Sequence, residues 1–107
     1  MASNTQPTDV PGVMRLPSGT VTFLFTDVEG STRGWENNSP AMLTAVNRHF
    51  AMLDAAIAAH HGVRFKTIGD AIQAAFSTVA DAVNAAVAAQ RAFAAADWSP
   101  LPSIKVR

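Results

Sequence analysis

The chain has 107 residues, of which 49% are hydrophobic and 15% are charged, which is typical of one small globular domain rather than a disordered segment. Its 8 basic residues balance its 8 acidic residues, so no overall positive field favours a nucleic-acid partner. Cysteine is absent, which excludes disulfides, zinc–thiolate sites and thiol catalysis.

Residues 1–18 are predicted to form a disordered leader, because they hold three prolines and mostly small polar side chains. The ordered domain is therefore expected to cover residues 19–107. The leader lacks the charged start and the apolar stretch of a signal peptide. The most apolar run, residues 78–96, contains Asp81 and Arg91, so it is too polar for a membrane span. These features predict a cytoplasmic protein with no membrane partner.

The first predicted strand covers residues 20–26 and is rich in β-branched and large apolar side chains. It is followed abruptly by Asp27, Val28, Glu29, Gly30, Ser31 and Thr32. A carboxylate at this point lies where a rigid strand reaches solvent, and the small residues leave backbone N–H groups free beside the positive end of a following helix. The corner is suited to a hard cation and a phosphate. The alternative is that Asp27 and Glu29 belong to an ordinary surface turn.

Two helices are predicted next. The first is short, covers residues 33–36 and is capped by the step at 30–32. The second begins with Ser39 as its N-cap, reaches about His60 and ends at Gly62 in the left-handed conformation. Its predicted apolar face, spaced at three and four residues, consists of Leu43, Val46, Phe50, Leu53 and Ile57.

Residues 63–68 and 71–76 are predicted to form a hairpin around the Gly-Asp turn at 69–70. An alanine-rich helix over 78–97 and a last strand over 103–107 follow. The order strand, helix, strand, strand, helix, strand predicts an α+β fold, namely a ferredoxin-like split βαβ sheet with helices packed on one face.

In such a sheet the end of the first strand and the hairpin turn lie side by side, so Asp27 and Asp70 are expected to meet at one edge. Two close carboxylates repel unless a proton or a divalent cation neutralises them, and Mg²⁺ prefers oxygen ligands while leaving room for phosphates. With two ions, one activates an attacking hydroxyl and the other steadies a polyphosphate leaving group. Asp70 is alternatively a turn residue only. Lys66, in the same hairpin, either donates to a ligand or extends to water.

Two segments in this order, 19–32 (GTVTFLFTDVEGST) and 65–71 (FKTIGDA), resemble the catalytic domain of the class III adenylate and guanylate cyclases. The bacterial type, often found ahead of ATPase and helix-turn-helix regulator modules, is the most similar. The resemblance covers the whole of the predicted ordered part, residues 19–107.

The resemblance implies roles for several residues of the two segments. Asp27 and Asp70 would bind two Mg²⁺ or Mn²⁺ ions, with the backbone carbonyl of Val28 as a further ligand. The loop at 29–32 would cradle the triphosphate, and Lys66 would contact adenine and favour ATP over GTP. The site would form across a head-to-tail homodimer, with the aspartates from one protomer and the lysine from the other. The reaction implied is ATP to cyclic AMP and pyrophosphate.

The family domain continues with a second base-recognising residue, an Asn and an Arg that stabilises charge on the phosphates. These positions lie beyond Arg107, so the sequence is expected to be the N-terminal part of a cyclase domain and inactive alone. One alternative is a non-catalytic pseudo-cyclase that binds nucleotide or serves in dimerisation. Another palm-like nucleotidyl transferase fits less well, because a diguanylate cyclase would show a Gly-Gly-Asp/Glu-Glu-Phe turn. The three histidines show no metal-ligand spacing and are assigned no function.

Overall fold

The structure, a computed structural model, describes residues 16–107. Within this range the elements are β1 (Thr22–Thr26), α1 (Ser31–Asn37), α2 (Ser39–Ala59), β2 (Val63–Ile68), β3 (Ala71–Phe76) and α3 (Val79–Ala95). Almost all of the leader predicted over residues 1–18 lies outside the described residues. None of the helices in the described part is long and apolar enough to cross a membrane.

The three strands form an antiparallel sheet in the order β1-β3-β2. The last residues of the chain lie along the free edge of β1, where Val28 and Val106 form an antiparallel bridge. The backbones of Asp27 and Arg107 exchange hydrogen bonds of 2.9 and 2.8 Å. With this segment beside β1, the sheet has the strand order of a ferredoxin-like split βαβ fold, which confirms the predicted fold class.

The last strand is shorter than predicted. Residues 103–107 were expected to pair along their length, but only an isolated bridge forms. The physical reason is that Gly30 takes a φ of 68°, which turns the backbone away from the sheet. The pairing therefore ends where Glu29 N–H donates to the Lys105 carbonyl at 2.8 Å.

The helices cover one face of the sheet and enclose the core. Phe76, Leu53 and Ile72 are its largest fully buried apolar side chains. On α3 the residues that face the core are small, apart from Phe93: Ala82, Ala85 and Ala89. Small side chains let the helix approach the sheet closely. The other side of α3 leaves three valines exposed: Val79, Val83 and Val87.

The ends of α2 differ from the predictions. Asn38, rather than Ser39, is the N-cap, since its side-chain oxygen accepts a hydrogen bond from Ala41 N–H at 3.3 Å. The Ser39 hydroxyl instead donates to the Trp35 carbonyl at 2.6 Å. At the other end His61, rather than Gly62, takes the left-handed conformation, with a φ of 64°.

The buried face of α2 also differs from the prediction at its first turn. Leu43 is 54% exposed, and Met42 is buried in its place. The residues of α2 that are buried are Met42, Ala45, Val46, His49, Leu53, Ala56 and Ile57. The apolar pattern located the right side of the helix, but it could not separate neighbouring apolar residues such as Met42 and Leu43.

Candidate functional site

The end of β1 lies beside the β2–β3 turn. Thr26 pairs with Ile72, so continuing the antiparallel register places Val28 alongside Asp70. Val28 N–H donates to Asp70 Oδ1 at 3.4 Å. In an extended strand the N–H and the carbonyl of one residue point to the same side, so the Val28 carbonyl also faces this turn. The structure therefore brings Asp70 to the corner where Asp27 and Val28 leave the sheet.

Asp27 is held in place by Arg107. The guanidinium donates from Nε to Asp27 Oδ1 and from Nη2 to Asp27 Oδ2, both at 3.1 Å. These hydrogen bonds raise the pKa of Arg107 above its ordinary value. Both side chains reach solvent, with Asp27 47% and Arg107 63% exposed, so a ligand has access to the pair.

Arg107 was not among the predicted site residues. The available signal was the alternation of Ile104, Lys105, Val106 and Arg107, which indicated a strand. Had that strand been placed antiparallel beside β1, its last residue would have fallen opposite Asp27. The fold order alone did not give this register, because the two positions are 80 residues apart.

The oxygen ligands at this corner suit a cation such as Mg²⁺ that a substrate's phosphates also help to bind. Asp27 and Asp70 each offer a carboxylate, and Val28 offers a carbonyl. Across residues 16–107 there is no cluster of three or more His, Cys, Asp or Glu side chains that could enclose a metal by themselves. Mg²⁺ is commonly held by one or two carboxylates, with waters and phosphates completing its octahedron. A caged zinc or calcium site would need more protein ligands.

The loop predicted to bind phosphates leads directly into α1. Gly30 is the N-cap, with a φ of 68°, and no side chain caps the helix. The cap is therefore a backbone turn at Gly30 rather than a hydroxyl of Ser31 or Thr32. Glu29 and Thr32 are exposed and Ser31 is half-buried, so the loop faces solvent next to the aspartates.

Lys66 lies apart from Asp27. It is on β2, opposite Gln73 of β3, and β3 separates it from β1. Its side chain is exposed. Within one protomer, therefore, the structure brings Asp70 to Val28, the residue after Asp27, while Lys66 lies two strands away from β1.

The face of the sheet away from the helices is open and aromatic. Phe23 and Phe25 are 59% and 63% exposed, and Phe23 packs edge-on against Phe65 with 5.7 Å between ring centroids. A shallow cavity of about 390 Å³ lies at the edge of this face, lined by Phe25, Thr26, Asp27, Ala71, Ile72, Gln73 and Arg107. It combines the Asp27–Arg107 pair with an apolar wall and one carboxamide.

Comparison with known proteins identifies the family of the chain. The sequence model of the adenylate and guanylate cyclase catalytic domain matches residues 13–97. An adenylate cyclase of Neurospora crassa is 33% identical over 84 residues, which are 78% of this chain and 4% of that protein. A solved Trypanosoma brucei adenylate cyclase in its monomeric state is 33% identical, with a TM-score of 0.71, over 73% of this chain and 34% of that one.

The guanylate cyclase domain of RhGC from Catenaria anguillulae, solved in complex with GTP, has a TM-score of 0.72 over 81% of this chain and 52% of that one. At 22% identity this likeness concerns the fold alone. The chain thus spans a small part of the full-length relative and a third to a half of these solved chains. Because the family's sequence model matches residues 13–97, which are most of this chain, the chain belongs to the adenylate and guanylate cyclase catalytic domain family.

Proposed function

We propose that this chain forms part of an adenylate cyclase domain that converts ATP to cyclic AMP and pyrophosphate. The observation that carries the proposal is the position of the Asp70 carboxylate beside Val28, since it supports the expected approach of Asp70 to Asp27, the residue before Val28. A pair of Mg²⁺ or Mn²⁺ ions bound there would supply activation of the attacking hydroxyl and stabilisation of the leaving pyrophosphate.

The chain's own residues orient the substrate. Asp27 and Asp70 would hold the cations, the loop at 29–32 offers backbone N–H groups to the triphosphate, and Arg107 adds a planar guanidinium suited to phosphate oxygens. The ribose 3′-oxygen bonds to the α-phosphorus as the bond from that phosphorus to the pyrophosphate oxygen breaks, and the proton of the 3′-hydroxyl passes to water. Lys66 supports ATP as the substrate, by its resemblance to the base-contacting lysine of the family.

We further propose that the active site forms between two protomers arranged head to tail. Lys66 lies two strands away from β1, so a base held by Lys66 of one protomer suits phosphates held by Asp27 of the other. The open face that would meet the partner is apolar, with Phe23, Phe25 and Ile68 more than half exposed. Exposed aromatic surface of this kind favours association.

The metal corner is tested by nucleotide binding. Calorimetric titration of the chain with ATP is expected to show binding with Mn²⁺ and none with EDTA. Asp27→Asn and Asp70→Asn are each expected to weaken Mn²⁺-dependent binding at least tenfold, whereas Asp81→Asn, on α3, serves as the control and should bind like the parent chain. Equal affinity in all three variants would contradict the proposal.

Turnover by this chain alone is expected to be negligible. The Asn and Arg that the resemblance assigns to transition-state stabilisation lie in a part of the family domain outside this sequence, and losing one such donor costs about 10²–10³-fold in rate. The measurement is cyclic AMP formed with Mn²⁺ and ATP. Robust turnover by the isolated chain would show that these groups are not required.

A further inference from the structure

We propose that Gln73 determines base specificity, by accepting a hydrogen bond from the 6-amino group of adenine while Lys66 donates to adenine N1. This inference rests on the proposed function and adds a second base-reading residue within the present chain. It assigns a role to the carboxamide of Gln73, which is the polar residue of the otherwise apolar strand β3.

The two side chains are neighbours on the open face of the sheet. Lys66 and Gln73 are directly opposed in the antiparallel β2–β3 pair, and opposed residues lie on the same face with their Cβ atoms about 4.5–5.5 Å apart. Ile72 and Ala74, on either side of Gln73, are both 0% exposed and face the helices. Gln73 therefore faces the open side, where it lines the cavity beside Phe25.

A β-bulge creates this pairing. The register joins Arg64 to Ala74 before the bulge and Lys66 to Gln73 after it, so Phe65 is the extra residue. Without the bulge, the first register would continue and place the Phe65 ring opposite Gln73. The extra residue instead brings the Lys66 ammonium beside the Gln73 carboxamide. Bulges commonly redirect a side chain next to a functional site in this way.

The strand is anchored immediately before the bulge. Arg64 contacts Asp54 of α2 through Nε at 3.0 Å and through Nη2 at 3.2 Å. Its Nη1 also donates to the Thr67 hydroxyl at 2.8 Å. These contacts hold β2 on both sides of Phe65 and so fix the direction in which Lys66 leaves the strand.

The Gln73 carboxamide is available for a ligand. Gln90 of α3 donates to the Val106 carbonyl at 2.6 Å, whereas no comparable bond holds the Gln73 side chain within the described part of the chain. Its neighbours on the same face of β3 are Ala71 and Ala75. If nucleotide or a second protomer covers this face, burying the Gln73 carboxamide without a hydrogen-bond partner would cost free energy. A hydrogen bond to the edge of the base would remove that cost.

The chemistry of the pair matches adenine rather than guanine. An ammonium only donates hydrogen bonds, while a carboxamide oxygen accepts them. Adenine presents an acceptor at N1 next to an amino donor at C6, which complements this order. Guanine presents a donor at N1 next to an acceptor at C6, so the Lys66 ammonium would face an N–H group. Rotating the Gln73 amide does not remove that clash.

Two triphosphates that differ only in the 6-amino group test the proposal. Purine riboside triphosphate keeps N1 but lacks the amine. With Mn²⁺, the parent chain is expected to bind ATP about fivefold to tenfold more tightly than this analogue, the factor expected for one hydrogen bond. Gln73→Met should abolish the difference by weakening ATP binding. Val83→Met, which places the same new side chain on the exposed side of α3, should keep it.

The outcomes separate this proposal from the proposed function. If Asp27→Asn abolishes Mn²⁺-dependent binding but Gln73→Met keeps the parent ratio of affinities, Gln73 has no role in base reading and only this inference fails. If the parent chain shows no Mn²⁺-dependent binding of ATP, both fail. Should Gln73→Met not fold, the side-chain amide resonance of Gln73 in the parent chain decides: ATP must shift it more than the purine analogue does, and equal shifts would refute the assignment.

Discussion

The carboxylate of Asp70 accepts a hydrogen bond from Val28 N–H at 3.4 Å, although the two residues are 42 positions apart in the chain. The distance is beyond the usual range for such a bond, so the contact contributes little to the free energy of unfolding. It nevertheless marks where the carboxylate lies, beside the backbone of Val28, the residue that follows Asp27. The fold therefore positions the Asp70 carboxylate but gains little stability from it, which leaves the carboxylate available to bind a ligand.

We therefore expect Asp70→Asn to separate ligand binding from stability. The substitution should change the free energy of unfolding by less than about 1 kcal/mol, because only a long, half-exposed hydrogen bond is altered. It should abolish the increase in melting temperature that Mn²⁺ and ATP give the parent chain. Thermal denaturation with and without the ligands measures both quantities.

Asp81→Asn provides the matched control. It removes a carboxylate from the first turn of α3, where negative charge is favourable, and breaks the contact of Asp81 with His61 at 3.6 Å. It should lower stability, yet it should preserve the shift produced by Mn²⁺ and ATP because it lies on α3, away from the corner. An Asp70→Asn protein that retains the full shift would show that this carboxylate does not hold the cation.

The proximity of Asp70 to the end of β1 could be predicted from the sequence, because strand order and antiparallel pairing together fix which segment ends meet. Two other features of the site could not. The bulge at Phe65 leaves no signal in a segment where apolar residues stand on both faces. The contact of Arg107 with Asp27 spans 80 positions and depends on the register of the last segment beside the end of β1, which no side-chain pattern specifies.

Arg107 is expected to compete with cations for Asp27. Its guanidinium occupies both carboxylate oxygens, so Arg107→Gln removes a positive charge close to the bound ion and should raise the affinity for Mn²⁺ alone several-fold. Titration followed by the electron paramagnetic resonance of free Mn²⁺ measures this. The stability of the metal-free chain should change little, since the ion pair is exposed. Weaker Mn²⁺ binding would mean that Arg107 serves chiefly to orient Asp27.

His49 is expected to make the fold sensitive to acid. The ring is fully buried, Nδ1 lies 3.0 Å from the Val46 carbonyl, and Nε2 has no partner in the described residues. Desolvation lowers the pKa of His49 below 6.5, and the Val46 carbonyl together with the charges of Asp70 and Asp54 only partly offsets this. Because the folded pKa is depressed, protons favour the unfolded chain, so stability is present above pH 6.5 and is lost as the pH falls below it.

The loss attributable to His49 between pH 7.5 and 5.5 is at most about 1.4 kcal/mol, the limit for one group that stays neutral in the folded state. His49→Leu should be less stable at pH 7.5, because the ring packs on Phe50 and Phe93, but it should lose less stability on acidification. Urea unfolding at both pH values measures the difference. Parallel losses in the two proteins would show that the acid sensitivity does not come from His49.

Gly62 is expected to be required for its lack of a side chain rather than for its backbone angle. A Cβ at this position would lie 2.3 Å from Cε2 of Phe76, which is fully buried, so Gly62→Ala should cost about 1–3 kcal/mol by overpacking. Gly69 is the control: its φ is 59° with nothing within 4 Å of an added Cβ, and Gly69→Ala should cost about 1–2 kcal/mol for the left-handed conformation.

A double-mutant cycle distinguishes the two causes. In the Phe76→Leu background the added methyl of Gly62→Ala finds space, so its cost should fall well below the value in the parent chain, whereas the cost of Gly69→Ala should be unchanged. Coupling energies of this sort between touching residues are about 0.5–3 kcal/mol, and distant pairs are additive. Additive effects of Gly62→Ala and Phe76→Leu in denaturant unfolding would show that the ring does not set the requirement for glycine.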